Sequence, residues 1–524
     1  MELSREAAGA IIQRLKTRGV GDLATIKTDV AREFVLGGVP SNADILTALS
    51  EEEQKQWRAV LRTKPVRSLS GVAVVAVMSA PAPCPHGTCS YCPRGEKAPQ
   101  SYTGHEPAAM RAIAHGFDPF DQTDTRVRQL ERTGHSTDKV ELIIMGGTFP
   151  ARPPAEQEHF VHRCLDALNG EDSPTLEEAQ CNNERASHRC VSITFETRPD
   201  YCRTDHIDLM LRLGATRIEL GVQTVFDDVY EMVGRGHTVA DVVEATRTAR
   251  DAGFKVNYHL MPGLPGSDRE RDLESFRQVF TDPRFCPDMV KVYPTQVLEG
   301  TGLYDQWRQG DYRPPKTEEM VDLLAEVKSM MPRWVRTMRI LRDIPSNRIA
   351  DGVFAGNLAE LVEREMAKRG TKCSCIRCRE VGRGQRRVRQ SPAASINLSI
   401  EQYDAGNGTE LFISADDEDD ALLGYCRLRF PSSQAHREEV GIDCAIVREL
   451  RVCGEALPLG AHGQGAVQHR GLGRQLLEEA ESIAGEHDKE RLLILSGIGV
   501  RPYFHKLGYK RSGPYMVRRP LAKG

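Results

Sequence analysis

Apolar residues fall into three successive rhythms along the chain. Over residues 1–70 they recur at three- and four-residue spacings, as in EAAGAIIQRL and ADILTALSEEEQKQWRAVLR, which predicts amphipathic helices. Ser41-Asn42 offers a cap in front of the second stretch, and Gly37-Gly38-Val39-Pro40 separates the two. From about residue 71 the spacing shortens to β-branched runs: VAVVAVM (72–78), VELIIMG (140–146), VSITFET (191–197), RIELGVQT (217–224), KVNYHLMP (255–262) and MVKVYPT (289–295). Helical patterns lie between the later ones, HIDLMLRLG (206–214) and VADVVEATRTARDAG (239–253). Buried strands alternating with helices make βαβ units and a parallel sheet, here a full or partial (β/α) barrel over 71–360. Its functional residues then sit at the carboxyl ends of the strands, which puts MGGTF (145–149), ETRPD (196–200), GVQT (221–224) and MPGLPG (261–266) on one rim.

After residue 394 the rhythm changes again. INLSIEQY, ELFIS, LLGYCRLRF and AIVRELRV (445–452) read as strands, followed by the helix LGRQLLEEAESIAGEH (472–487) and the strand LLILSG (492–497). The acidic DDEDD (416–420) falls in a turn. Residues 394–524 therefore form a second α/β unit.

Composition narrows the function classes. The 524 residues are 40% apolar and 27% charged with a formal net charge of −4, so no global basic field marks a nucleic-acid partner. No apolar run reaches the roughly 18 residues of a membrane span. The opening MELSREAAGAIIQRLKTRG lacks the continuous apolar core of a signal peptide. The expectation is a cytoplasmic protein with no membrane partner. One local patch is strongly basic: residues 361–390 hold ten Lys/Arg against three Glu.

Fourteen cysteines are many for such a chain, and clusters of them in a reducing compartment bind metal more often than they form disulfides. Eight are scattered (Cys164, Cys181, Cys190, Cys202, Cys286, Cys426, Cys444, Cys453) and read as small buried hydrophobes. The first cluster, PCPHGTCSYCPRG, places Cys84, Cys89 and Cys92 directly after a predicted strand. A structural zinc site needs four ligands, and His86 is the local candidate for the fourth. A [4Fe–4S] cluster on three thiolates instead leaves one iron for the amino and carboxylate groups of S-adenosylmethionine. Spacing alone leaves both open.

Together with QSYTGHEPAAMRA (100–112), DKVELIIMGGTF (138–149) and FETRPDYC (195–202), this cluster resembles those of the radical S-adenosylmethionine (radical SAM) enzymes. Within them it is most similar to the catalytic subunit of Elongator and its single-chain relatives, the tRNA wobble-uridine acetyltransferases. The resemblance continues through KVYPTQVLEGTGLY (291–304), RDIPS (342–346) and the C-terminal region. It departs from the commonest radical SAM spacing in its four-residue first gap, and from the family in Arg94, where glycine is expected. The resemblance implies a [4Fe–4S] cluster on Cys84, Cys89 and Cys92, with Gly146 and Gly147 close to the SAM amino group. Glu196, Arg198 and Gln223 lie on the same predicted rim and are candidates to bind ribose or carboxylate, against internal salt bridges at a barrel mouth. Lys291 is a candidate catalytic lysine, against a solvated surface lysine, and His259 reads as a core histidine.

Cys373, Cys375 and Cys378 read as a structural zinc site whose fourth ligand comes from elsewhere, within a linker spanning 361–393. The surrounding arginines read as a solvated linker or, with the resemblance, as phosphate contacts to tRNA that Arg333, Arg336, Arg339 and Arg342 extend. The N-terminal helices are a second candidate tRNA-binding region. Gln468-His469-Arg470-Gly471-Leu472-Gly473, with Arg474, opens a helix and matches the signature of GCN5-related N-acetyltransferases. In those enzymes the helix N-terminus cradles the pyrophosphate of coenzyme A. Tyr503, in RPYFHKLGY, is the candidate hydroxyl at the thioester, and Phe504 stands where the family has a second tyrosine.

The family resemblance joins the halves. A SAM-derived radical attacks the methyl of acetyl-CoA, the carbon adds to C5 of the wobble uridine, and thioester hydrolysis leaves 5-carboxymethyluridine. That scheme needs tRNA, acetyl-CoA, an electron donor and two pockets facing a shared cavity; homo-oligomerisation stays open. Two rivals are a protein lysine acetyltransferase with the barrel as scaffold, and an RNA-binding assembly subunit without turnover.

Overall fold

Seven parallel strands lie side by side in chain order, and the two outer ones do not meet. They are β1 (Ala73–Met78), β2 (Lys139–Met145), β3 (Arg189–Thr197), β4 (Arg217–Gln223), β5 (Lys255–Leu260), β6 (Met289–Val292) and β7 (Arg336–Ile340). The computed structural model describes residues 3–64, 71–95, 97–382, 396–454 and 471–519. The sheet is thus an open half-barrel with helices on its convex side. In β2 the alternation is plain: Val140, Leu142 and Ile144 are buried, while Glu141, Ile143 and Met145 face the half-open interior. The buried set packs with Val127, Leu130, Phe160 and Val161 of the helices Pro119–Arg132 and Pro154–Asn169. β7 escapes the sequence reading because RTMRI is short and carries two arginines.

The N-terminal segment has its own core, built around Ile11, Ile26, Ile45 and Leu61. Its second predicted helix is two, Asn42–Ala48 and Glu51–Leu61. Ser50 forms a capping box with Glu53, so the chain starts a new helix where the apolar period runs on.

The C-terminal sheet comprises β8 (Asn397–Ala405), β9 (Gly408–Asp416), β10 (Leu422–Phe430), β11 (Cys444–Val452), β12 (Arg491–Ile494), β13 (Lys510–Ser512) and β14 (Tyr515–Arg518). Their order is β8-β9-β10-β11-β12-β14-β13, antiparallel except for β11 with β12. The final hairpin, β13–β14, is absent from the sequence reading. The helix Leu472–Glu486 covers one face through Leu476, Leu477 and Ala480.

This sheet caps the amino ends of the barrel strands. Arg448 donates to the Phe254 carbonyl at 2.8 Å and to both Asp288 oxygens at 2.7 and 2.6 Å, ahead of β5 and β6. Gly497 and Gly499 lie against Val191 and Arg189 at the start of β3, where a side chain would clash with the backbone. Apolar residues of both units, such as Val256, Ile446 and Ile498, share one core. Among the described residues, no helix is long and apolar enough to cross a membrane.

Candidate active site

Nine of the positions singled out in the sequence line one cavity of about 210 Å³ at the carboxyl rim of the half-barrel: Cys84, Cys89, Cys92, Gly146, Gly147, Glu196, Arg198, Gln223 and Lys291. The cysteine loop leaves β1 and is pinned from several sides. Cys84 N donates to Gln100 at 3.1 Å, Ser90 N to the Val233 carbonyl at 2.9 Å, and Leu303 N to the Ser90 carbonyl at 2.7 Å. Cys89 and Cys92 are buried and Cys84 half-buried. His86 bridges two thiols, with Nδ1 3.0 Å from Cys84 Sγ and Nε2 3.1 Å from Cys89 Sγ. Burial and the nearby Arg198 and Arg235 guanidiniums push its imidazole down to about 4, so the ring is neutral. Arg235 donates to Cys89 Sγ at 3.7 Å.

After β2 the chain turns through two left-handed glycines, Gly146 (φ 139°) and Gly147 (φ 74°). A Cβ on Gly146 would collide with Ser79 Oγ, and one on Gly147 would stand 3.2 Å from the Gln100 carbonyl. Bare backbone therefore faces the cavity. Gln223 is a non-glycine residue at φ 73°, and its buried Oε1 has no hydrogen-bond partner.

Glu196 accepts from the Tyr102 hydroxyl at 2.6 Å and lies 4.0 Å from Lys291 Nζ. Lys291 contacts Glu219, which also accepts from Asn257 at 3.2 Å and pairs with His259 at 2.9 Å. Glu219 is fully buried. Despite its burial, the Lys291 and His259 partners hold its carboxyl well below the usual range. Lys291 is raised: burial works against its charge, but Glu219, Tyr293 and Glu196 together outweigh it. It is therefore no solvated surface lysine, and His259 is not a core residue but part of the cavity wall.

Arg198 takes the alternative role. It is buried, and donates to both Asp200 oxygens at 2.9 and 2.8 Å and to the Arg235 carbonyl at 2.9 Å. Its guanidinium braces the rim rather than pointing a free donor at a ligand. Glu219, Tyr102 and Arg235 escaped the sequence reading. Glu219 carried a signal, since period-2 alternation back from Gln223 puts it on the inward row.

The second cluster converges on one point. The Cys373, Cys375 and Cys378 thiols lie within 4.8 Å of one another, close to the about 3.8 Å that Zn–S bonds of about 2.3 Å impose on a tetrahedron. Lys328 donates to Cys378 at 3.5 Å. Among the described residues no histidine, cysteine or carboxylate completes the Cys373 group. The nearby arginines are less available than the sequence suggests. Arg379 is buried on Asp416 at 2.6 Å, Arg336 is buried on Glu380 at 2.8 and 3.0 Å, and Arg333 pairs with Glu401 and Asp420 at 2.8 Å. Arg339 and Arg342 do reach the cavity mouth. Arg383, Arg386, Arg387 and Arg389 lie outside the described residues.

In the C-terminal unit, β11 pairs with β12 only from Cys444 to Val447 and then runs on to Val452, so the two parallel strands fork. Gly471 (φ 84°) caps the helix Leu472–Glu486 beside that fork, and a Cβ on Gly473 would lie 3.5 Å from Val452 and 3.9 Å from the Tyr503 hydroxyl. Tyr503 is exposed; Phe504 is buried edge-on against Tyr503 and Tyr509, which makes it a packing residue. Arg474 is exposed and paired with Glu478 at 2.7 Å. Gln468, His469 and Arg470 lie outside the described residues. The C-terminal sheet meets the barrel at the amino ends of its strands, where Arg448 reaches Phe254 and Asp288, whereas the cysteine loop lies at their carboxyl ends.

Residues 82–279 match the Radical SAM superfamily, 287–368 the Radical_SAM C-terminal domain and 1–69 the ELP3 N-terminal domain. The chain is 51% identical over 511 residues to a tRNA uridine(34) acetyltransferase of Methanocaldococcus jannaschii, covering 96% of this chain and 94% of that one. It is 43% identical over 509 residues to Elongator complex protein 3 of Homo sapiens, covering 95% and 93%. The chain belongs to this family. The solved structure of Methanocaldococcus infernus Elp3 lacking residues 1–46 superposes with a TM-score of 0.76 at 46% identity, covering 86% of this chain and all of that one. Radical SAM membership implies a [4Fe–4S] cluster and SAM, and the rim fits them: three thiols in one loop, a side-chain-free backbone turn, and an orphaned Gln223 oxygen face the same cavity.

Proposed function

We propose that this protein modifies the wobble uridine of tRNA, forming 5-carboxymethyluridine from acetyl-CoA. The observation that carries the reading is the convergence of nine separately predicted positions in one rim cavity, on a chain that also holds a forked sheet with a glycine-capped helix. Cys84, Cys89 and Cys92 would hold the cluster, the Gly146–Gly147 backbone would meet the SAM amino group, and Glu196 and Gln223 would take its ribose and carboxylate. Bound there, cluster and SAM supply hydrogen abstraction from an unactivated C–H bond, here the acetyl methyl.

The chain's own residues then have separable tasks. Lys291, held between Glu196 and Glu219, presents a permanent cation to the cavity. Arg198 and Arg235 brace the cysteine loop and keep its surroundings positive. In the C-terminal unit, the fork between β11 and β12 receives the extended arm of acetyl-CoA, the Gly471–Gly473 turn its pyrophosphate, and Tyr503 stands at the thioester. Zinc on Cys373, Cys375 and Cys378 would brace the linker beneath β7. An electron donor for the cluster completes the scheme.

The test is nucleoside mass spectrometry of tRNA incubated anaerobically with cluster-replete protein, acetyl-CoA, SAM and a reductant. The expected product is 5-carboxymethyluridine, lost in Cys89→Ser. No modified uridine from cluster-replete protein overturns the reading. Acetylation of a peptide by Cys89→Ser protein would favour the lysine acetyltransferase instead.

A further inference from the structure

Lys255 opens β5 two and four residues before Asn257 and His259, so alternation puts all three on the inward row of the half-barrel. Asn257 and His259 reach Glu219 beneath the rim cavity, whereas Lys255 lies lower, at the end capped by the C-terminal sheet. Charged groups face it from every side: Glu141 on β2, Arg217 on β4, Asp288 ahead of β6 and Glu449 on β11. Each carboxylate is already engaged. Glu141 contacts Arg217, Asp288 binds Arg448 at 2.6 Å, and Glu449 accepts from Arg427 at 3.0 Å and from the Tyr425 hydroxyl at 2.9 Å. Among the described residues, Lys255 Nζ has no hydrogen bond and no ion pair within 4.0 Å. Burial outweighs the surrounding carboxylates and pushes the amine down to about 8. The amine is half-buried and no protein group satisfies it, which leaves it available to an acceptor on a bound ligand.

Position says which acceptor. β11 last pairs with β12 at Val447, and the next residue, Arg448, donates to the carbonyl of Phe254, the neighbour of Lys255, so Lys255 lies where the fork meets the barrel interior. We propose that Lys255 binds the carbonyl oxygen of the acyl thioester at this junction and holds it while water attacks the carbonyl carbon. This deepens the acetyl-CoA reading above and rests on it. In the hydrolysis a C–O bond to water forms and the C–S bond breaks; one proton leaves on the coenzyme A thiol and the other passes to solvent, giving a carboxylate. No oxidant or reductant is needed.

The test compares Lys255→Met and Lys255→Arg with the unchanged full chain. Calorimetry gives dissociation constants for acetyl-CoA and for free CoA, and hydrolysis of acetyl-CoA with tRNA present is followed from about pH 6 to about pH 10. Lys255→Met should weaken acetyl-CoA about tenfold, change CoA less than about twofold, and slow hydrolysis at least about tenfold, because only the acylated ligand carries the carbonyl. The limb of the pH profile near 8 should vanish, and Lys255→Arg should restore binding. The proposal is overturned if Lys255→Met binds acetyl-CoA like the unchanged protein, or if it loses CoA and acetyl-CoA equally. Failure of the unchanged chain to bind acetyl-CoA sinks both this proposal and the reading it rests on. Intact, Lys255-dependent hydrolysis without modified uridine sinks only the wobble-uridine reaction.

Discussion

The phenol of Tyr102 donates to Glu196 at 2.6 Å, across 94 residues of sequence. Tyr102 belongs to the segment after the cysteine loop, and Glu196 ends β3, so this bond ties the loop to the barrel rim. Burial and the nearby Glu196 raise the phenol well above its ordinary value, which keeps the proton on Tyr102.

Tyr102→Phe removes the donor but keeps the ring. A hydrogen bond to a charged group contributes about 1.5–3 kcal/mol, so SAM affinity should fall roughly tenfold or more as Glu196 loses its orientation. Equilibrium binding of SAM to reconstituted protein checks this, with iron content unchanged. Unaltered affinity would mean that Glu196 takes no part in binding SAM.

Gly146 predicts a sharper loss. At φ 139° an alanine is strained wherever it sits, and here its Cβ also meets Ser79 Oγ. The strain alone costs about 1–3 kcal/mol. Gly146→Ala should therefore abolish measurable SAM binding while leaving three thiols free to hold iron. Adding Ser79→Gly relieves the collision but not the dihedral angle, so the double variant should recover only partly. Full recovery would show that crowding alone matters.

Cys375 tests the second cluster. It is fully buried, caps the short helix Ile376–Arg379, and accepts from Thr337 at 3.5 Å. Cys375→Ser should release one zinc per chain and lower the melting temperature, whereas Cys181→Ser, at an exposed cysteine outside both clusters, should do neither. Metal analysis with a melting curve decides it. Zinc-free wild-type protein that melts normally would exclude a metal brace.

Much of this site is local in sequence and could be read there. The cysteine loop, the paired glycines and ETRPD each sit at a strand end, where a turn must present residues to a rim. Even the tie of Arg198 to Asp200 spans only two residues. What escaped is what depends on register between strands. Glu219 matters because β5 and β6 bring Asn257, His259 and Lys291 opposite it, and no spacing within β4 announces that. Likewise Arg379 looks like a free cation until β9 delivers Asp416, 37 residues on. Strand patterns likewise do not say which end of a barrel a second sheet will cap.

Asp288 carries the last prediction. It lies fully buried among Arg250 of the barrel and Arg427 and Arg448 of the C-terminal sheet, with oxygens 3.5, 3.4 and 2.6 Å away. The guanidiniums overcome burial and hold its carboxyl far below the usual carboxylate range. A depressed folded value means that its contribution is complete above the unfolded value of about 3.9 and is lost as pH falls below it. Asp288→Asn leaves three buried cations short of a charge and should cost about 3–5 kcal/mol at neutral pH. Because the barrel and C-terminal sheet share one core, both should unfold earlier and together. Urea unfolding at pH 7 and at about pH 2 checks both points: the gap between wild type and variant should narrow at the lower pH. A gap that stays constant with pH would show that packing, not the Asp288 charge, holds the two units together.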